Sequence, residues 1–321
     1  MKHRTVLPRS GRPVIALLIA GALALSLGLA SCGGGGGDDD EPEATETTEA
    51  GETPTEQASA GDRVTINESF WHSGWKVTLG EATFDPAESA VSIDATFENT
   101  GSDTSTFDSQ LVLIAGGENF TESTLDQELP EVPGELSGNG VITFRVGANF
   151  SFDDAVLVIG NPANNQARVP LGPQGGELVT LEPATIQING TVTAGAVTLN
   201  VTEAEIRADF PDLHRPVEKG SLQMTIRFSA TVAAGIAIGE GVLQSPNVAL
   251  KLPDGSAVAV ISDGRSGVNE LLQGKEGTTI PDLSVRFQII DPPEGQYAFV
   301  LRGAYGPNRS EVEGELLFTV E

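Results

Sequence analysis

The chain has 321 residues and a formal net charge of −27 at pH 7, with 45 acidic and 18 basic side chains. This charge repels nucleic acid and anionic lipid surfaces, so neither is expected as a direct partner. A single cysteine excludes an intramolecular disulfide, and folded stability must therefore come from apolar cores.

Residues 1–31 have the layout of a secretory signal peptide. Four basic residues come first, and an almost uninterrupted apolar run of 17 residues, Val14 to Ala30, follows them. Because a membrane-spanning helix needs about 20 apolar residues, a cleaved signal is favoured over an uncleaved anchor, which remains the alternative. Both hypotheses place the rest of the chain outside the cytoplasm.

The segment Leu29-Ala30-Ser31-Cys32 closes this run and contains the single cysteine. It resembles the lipobox of bacterial lipoproteins. The resemblance implies that Cys32 is acylated, with palmitate or a similar fatty acid, and becomes the first residue of the mature protein. We therefore expect an extracytoplasmic chain that is lipid-anchored to a bacterial membrane. Cleavage before Cys32 would leave 14 basic and 45 acidic residues, a formal charge of −31.

Residues 32–62 are predicted to form a disordered acidic stalk of Gly, Thr, Glu and Pro. It begins with five glycines, Gly33 to Gly37, and no Lys, Arg, Val, Ile, Leu or aromatic residue occurs before Arg63. Such a segment cannot bury enough apolar area to offset its ordering entropy. Its run of acids, Asp38 to Glu41, lacks the D-x-D-x-D-G spacing of a calcium loop, so no metal site is predicted there.

Beyond the stalk, alternating apolar and polar residues predict two related all-β halves. The run 91–97 in the first half matches 222–228 in the second. Further matched segments are 75–79 and 197–201, 111–117 and 248–255, 142–146 and 285–289, 156–158 and 297–301, and 167–171 and 316–320. About seven short strands per half, with 38 glycines and 19 prolines in the chain, predict two tandem immunoglobulin-like β-sandwich domains.

The expected boundaries are residues 63–173 for the first domain and 177–321 for the second. Gly172 to Gly176 is the expected linker, and one short helix is predicted around Val268 to Gln273.

A family resemblance is visible in the first half. Phe97-Glu98-Asn99-Thr100-Gly101, then Leu111 to Gly117, then Pro133-Gly134 before Val141 to Val146, resemble the telokin-like domain of unknown function found in bacterial lipoproteins. The resemblance covers most of residues 63–171 and is weaker in 177–321, where Phe228-Ser229-Ala230 replaces the turn. It implies an immunoglobulin-like fold in an exported, anchored protein, and it implies no reaction.

No catalytic, metal or cofactor motif is present in the sequence. Beyond the signal, the two histidines His72 and His214 lie in different halves, and there is no G-x-S-x-G, H-E-x-x-H or C-x-x-C. A pair of carboxylates for glycoside hydrolysis stays open, because 45 acids make any chosen pair uninformative. We therefore predict that the protein is not an enzyme and uses no cofactor.

Two segments hold the candidate binding residues. Trp71, His72 and Trp75 form an aromatic patch that could be an exposed stacking platform for a sugar or peptide, although core filling by Trp75 is the favoured interpretation. His214 and Arg215 lie in a second-half loop, 208–220, without a counterpart in the first half. There a solvated histidine is favoured over a partner contact. This loop and the loop 262–279 are the predicted partner-binding segments.

These features predict a membrane-anchored, non-enzymatic binding or scaffolding module at the cell envelope, with an envelope protein or polysaccharide as partner. The alternative is an accessory solute-binding or substrate-delivery lipoprotein for a transporter or cell-wall enzyme. An aromatic-lined cleft between the domains would favour that alternative.

Overall fold

The computed structural model describes residues 62–122, 127–233, 242–261, 268–272, 275–303 and 310–320. This part of the chain is almost entirely antiparallel β-sheet, with two short 3₁₀ helices, Pro211–Leu213 and Ser245–Asn247. The prediction of an all-β sandwich protein is confirmed. The predicted signal peptide, the lipidated Cys32 and all but the last residue of the predicted stalk lie outside the described residues.

The first half is a sandwich of two four-stranded sheets. Its strands are β1 Arg63–His72, β2 Trp75–Asp85, β3 Ala90–Asn99, β4 Ser105–Thr106, β5 Leu111–Ala115, β6 Glu118–Thr121, β7 Glu131–Val132, β8 Ser137–Arg145, β9 Val156–Ile159 and β10 Ala167–Pro170. One sheet has the order β1-β2-β3-β8 and the other β10-β9-β5-β6, while β4 and β7 form a separate short pair.

The core of the first sandwich follows the period of two in its strands. In β2 every second residue from Trp75 to Leu79 is buried, and β3 buries Ile93 and Phe97 in the same way. The facing sheet contributes residues such as Leu113 and Leu157 to the same cluster. Burial from both sheets makes this half a sandwich with its own core.

The second half repeats this architecture. Its strands are β11 Ala184–Ala194, β12 Val197–Arg207, β13 Asp209–Phe210, β14 Arg215–Pro216, β15 Ser221–Val232, β16 Val242–Gln244, β17 Val248–Lys251, β18 Ala257–Ala259, β19 Asn269–Leu271, β20 Thr279–Ile290, β21 Gly295–Gly303 and β22 Val312–Val320. The sheets are β11-β12-β15-β20 and β18-β17-β21-β22, which are the sheets of the first half with each strand replaced by its counterpart. Phe228, Phe287 and Phe299 lie in the second core.

The second half differs from the first by one additional strand pair, β13 with β14, whereas β16 with β19 is the counterpart of β4 with β7. Strand β19 occupies the place where a short helix was predicted, and that prediction is wrong. Asn269 and Leu271 pair with Gln244 and Val242, and this pairing outweighs the weak local preference of the segment.

The chain remains packed against the first sandwich beyond residues 172–176, the expected linker. A Cβ added to Gly172 would lie 1.8 Å from the Phe152 carbonyl oxygen, so this glycine is packed tightly. Val179 exchanges two backbone hydrogen bonds with Arg168, and Thr180 Oγ1 accepts one from the Trp71 N–H at 3.1 Å. The connection to β11 therefore lies near residues 181–183, later than the sequence predicted. Both sandwiches belong to one compact unit, Ala58–Glu321.

Candidate functional site at the junction of the sandwiches

The junction is formed by a small hairpin that only the second half carries, the junction hairpin, residues 208–217. Its strands β13 and β14 flank the 3₁₀ helix Pro211–Leu213, and His214 closes the helix in the left-handed region at φ 45°. Pro211 at the start favours this tight turn because its φ is already fixed. The Arg215 guanidinium lies 4.6 Å from the centroid of the Phe210 ring, which is itself buried. These local contacts shape the hairpin before it meets the first sandwich.

Two glycines of the first sandwich allow the hairpin to approach. Gly74 lies in the turn between β1 and β2, and Gly101 follows β3. A Cβ built on either residue would lie 2.6 Å from the Pro211 carbonyl oxygen, which is closer than any side chain tolerates. The junction therefore depends on backbone exposed by glycine at two places.

A buried ion pair of the second half is hydrogen-bonded to the first half. Arg207 Nε donates to Asp209 Oδ1 at 2.7 Å, and the Gly74 N–H donates to Asp209 Oδ2 at 2.5 Å. Arg207 also donates to Thr100 Oγ1 at 3.0 Å and to Glu205 Oε1 at 3.1 Å. Burial lowers the pKa of Arg207, but the two carboxylates outweigh it and the net shift is upward. The Arg207 guanidinium thus stays charged in the interior, and it is bonded across the junction to Thr100.

Two histidines line the same junction. The His214 ring lies 5.4 Å from the Trp75 ring at an interplanar angle of 37°, and its two ring nitrogens are buried without a hydrogen-bond partner among the described residues. His72 packs against Gly160, where an added Cβ would lie 2.5 Å from its Cε1 atom. Burial lowers the pKa of His72, partly opposed by the negative charge of Asp209. Both rings serve as packing groups here.

These positions decide between the interpretations of the candidate binding residues. Trp75 and His72 are 1% and 4% exposed, so a stacking platform that includes Trp75 is wrong, and its core interpretation is confirmed. The interpretation of His214 as a solvated loop histidine is also wrong, because the first sandwich covers its ring. Trp71 is half-buried, with Lys76 Nζ 5.4 Å from its ring, and Arg215 is exposed. A binding role for Trp71 and Arg215 stays a prediction.

Beside the hairpin lies a polar cavity of about 300 Å³, the junction cavity. It lies between the outer face of the β12-β15-β20 sheet and the loops that end the first sandwich. Its lining residues are Thr100, Ser102, Glu135, Glu205, Arg207, Pro211, Asp212, Gln223, Thr225, Arg227, Ser284 and Arg286. Sequence reasoning missed these residues, because polar residues alternating along a strand look the same whether water or another domain covers them.

A second concave surface, the sheet groove, lies on the outer face of β1-β2-β3-β8. It has a volume of about 520 Å³ and is lined by Asn67, Thr78, Leu79, Gly80, Asp94, Ala95, Thr96, Glu128, Asn139, Gly140 and Val141. Ser69 and Thr78 share a hydrogen bond of 2.8 Å, and Thr96 donates to Asn139 at 3.0 Å. Lys76 and Trp71 form the next cross-strand pair on the same face after Thr78 and Ser69, and they extend this polar face.

Within the described ranges, no group of three or more His, Cys, Asp and Glu side chains is arranged to hold a metal ion. In the same part of the chain, none of the helices is long and apolar enough to cross a membrane.

Comparison with known proteins assigns no family. No protein-family model matches the chain. A stretch of 87 residues, 27% of the chain, is 34% identical to the LexA repressor of Enterococcus faecalis, and the chain spans only 41% of that repressor's length. The crystal structure of the conserved domain protein from Bacillus anthracis has 12% sequence identity and a TM-score of 0.28, over 85% of this chain and 96% of that one. Neither likeness carries a functional argument.

Proposed function

We propose that this protein is a bacterial lipoprotein, anchored outside the cytoplasm through acylated Cys32, that acts as a non-enzymatic binding or scaffolding module at the cell envelope. The signal-peptide layout and the lipobox-like segment support the anchor. The partial likeness to a repressor is not extended to this chain, because a net charge of −27 repels nucleic acid.

The scaffolding proposal rests on the junction, where several buried contacts join the two sandwiches. Independent tandem domains usually meet through small polar contacts and move relative to each other. Here hydrogen bonds from Gly74 to Asp209 and from Arg207 to Thr100, an aromatic contact and two close glycine contacts join the halves. A double sandwich joined in this way can present its surfaces to a partner in one fixed arrangement.

The sheet groove is the surface best suited to a partner, and we propose a neutral envelope polysaccharide. Its hydroxyl and amide side chains, from Thr78, Thr96, Asn67 and Asn139, match the donors and acceptors of sugar hydroxyls. The half-buried indole of Trp71 next to it offers a ring on which a sugar can stack. The predicted binding loop 208–220 is less suitable, because most of its hairpin already contacts the first sandwich.

The anchor is tested by growing cells with an alkyne-labelled fatty acid. Wild type should take up the label and fractionate with membranes, whereas Cys32→Ala should lose the label and appear as precursor or released protein. Acyl chains contribute about 0.8 kcal/mol per buried methylene, so their loss removes the main attachment. A wild-type protein without label would overturn the lipoprotein proposal.

The partner is tested by co-sedimentation with isolated cell-wall polysaccharide. Trp71→Ala should reduce binding, whereas Leu271→Ala, which removes an apolar side chain that is 57% exposed on the other sandwich, should not. Equal binding by both variants would refute the groove assignment. Capture of an envelope protein that is insensitive to added polysaccharide would replace the polysaccharide proposal.

A further inference from the structure

Two buried polar atoms at the junction cavity have no partner in the described structure. Arg286 is 8% exposed, yet its Nη1 group donates no hydrogen bond, although its Nη2 group pairs with Asp212. Gln223 is 1% exposed, yet its Oε1 atom accepts no hydrogen bond. Leaving such buried groups unsatisfied is destabilising, and more so for a charged group. Both side chains line the cavity, and each has one buried polar atom without a hydrogen-bond partner in the described structure.

The side chains that line the cavity carry equal numbers of positive and negative charges. Three guanidinium groups and three carboxylates line it: Arg207, Arg227 and Arg286 with Glu135, Glu205 and Asp212. A ligand with a net charge would disturb this balance in a partly buried site, where an uncompensated charge is costly. The balance therefore favours a molecule without net charge.

We propose that the junction cavity binds a small zwitterion that carries a carboxylate and an ammonium group, as a free amino acid does. The carboxylate accepts hydrogen bonds from Arg286 Nη1, since guanidinium groups match carboxylate geometry. The ammonium group donates to Gln223 Oε1, with lining carboxylates such as Glu135 completing its surroundings. A volume of about 300 Å³ suits a ligand of this size, because it lies at the lower end of small-molecule sites. The proposal is independent of the lipid anchor and of the sheet groove.

This proposal is tested by isothermal titration calorimetry on the chain from residue 58 onward. This segment is the compact unit that contains both sandwiches. The probes are the individual amino acids, with acetate, methylamine and glycerol as single-group controls. At least one amino acid should bind saturably below about 10 mM, and each control should bind at least about tenfold more weakly.

Two variants locate the site. Arg286→Lys loses the planar fork and should weaken amino acid binding about tenfold or more. Ser102→Tyr, at an exposed residue on the cavity rim, should block entry without disturbing either core, whereas Ser256→Tyr in an exposed turn of the second sandwich should bind like wild type. If Arg286→Lys does not fold, the Ser102→Tyr comparison decides alone.

Three results would overturn the proposal. No saturable heat with any amino acid would mean that ordered water alone satisfies Arg286 and Gln223. Equal binding of acetate, methylamine or glycerol would contradict the zwitterion. Unchanged binding by Ser102→Tyr would place the ligand elsewhere.

Discussion

Replacing Arg207 with Met should lower the free energy of unfolding and allow the two sandwiches to unfold separately. The change leaves Asp209 buried, with the Gly74 N–H of the first sandwich as its remaining hydrogen-bond donor among the described residues. At an effective dielectric constant of about 20, two unit charges about 4 Å apart attract by about 4 kcal/mol. Measured losses from breaking one side of a buried pair are about 3–5 kcal/mol, because the remaining charge stays uncompensated. We expect a loss of this size in the free energy of unfolding.

Urea unfolding followed by tryptophan fluorescence measures this loss, because both tryptophans, Trp71 and Trp75, belong to the first sandwich and Trp75 contacts the hairpin. Circular dichroism reports both halves together. In wild type the fluorescence and circular dichroism transitions should coincide. In Arg207→Met they should have different urea midpoints. Adding Asp209→Asn should recover part of the loss, since the buried charge is then gone.

Arg227→Met is the matched control. Arg227 lies on the same sheet and pairs with Glu203 and Glu205 at 3.4 and 3.5 Å, but its side chain is 54% exposed. Exposed pairs of this kind contribute at most about 1 kcal/mol. If Arg227→Met and Arg207→Met lower stability equally, the ion pair does not hold the junction and the reasoning from burial fails.

Three further predictions concern the same junction and the cores. Gly101→Ala should lower the urea midpoint, because its Cβ would lie 2.6 Å from the Pro211 carbonyl oxygen, while Gly147→Ala, with open space around it, should not. The free energy of unfolding should fall as the pH drops below about 6.5, because burial lowers the pKa of His72 in the folded state and the unfolded chain takes up the proton first. Urea midpoints of wild type and His72→Gln at several pH values measure this effect. The same dependence of the midpoint on pH in both proteins would contradict it. Phe97→Ala and Phe228→Ala should each lower the free energy of unfolding by about 3–5 kcal/mol in chemical denaturation. A loss below about 1 kcal/mol would show that the core collapses into the space left by the ring.

The sequence predicted the two cores because burial by one sheet on another imposes a period of two. Phe97 and Phe228 were recognised in this way, and the strand correspondence of the halves followed from the same pattern. The helix predicted at 268–273 was wrong because six residues carry little local preference, and pairing with β16 decided the outcome.

The junction was less predictable, since it depends on which surfaces meet. Gln223 and Arg286 occupy outward positions of their strands and are 1% and 8% exposed, because the first sandwich covers that face. His214 lies in a loop whose composition indicates solvent, yet its ring is covered by Trp75. One signal was present in the sequence: a hairpin insertion in only one of two otherwise matched repeats.

The same asymmetry explains why the hairpin contact is made once and does not continue from domain to domain. A head-to-tail contact between like domains can in principle continue indefinitely. Here the first sandwich lacks the hairpin, and the second lacks the surface that receives it. The first two strands of each half are joined by matching turns, Ser73-Gly74 and Gly195-Ala196, so the counterpart of Gly74 is Ala196, which carries the β-carbon that the Pro211 carbonyl excludes. The repeat therefore has one donor of the hairpin and one acceptor, which restricts this contact to a single pair of sandwiches within the chain.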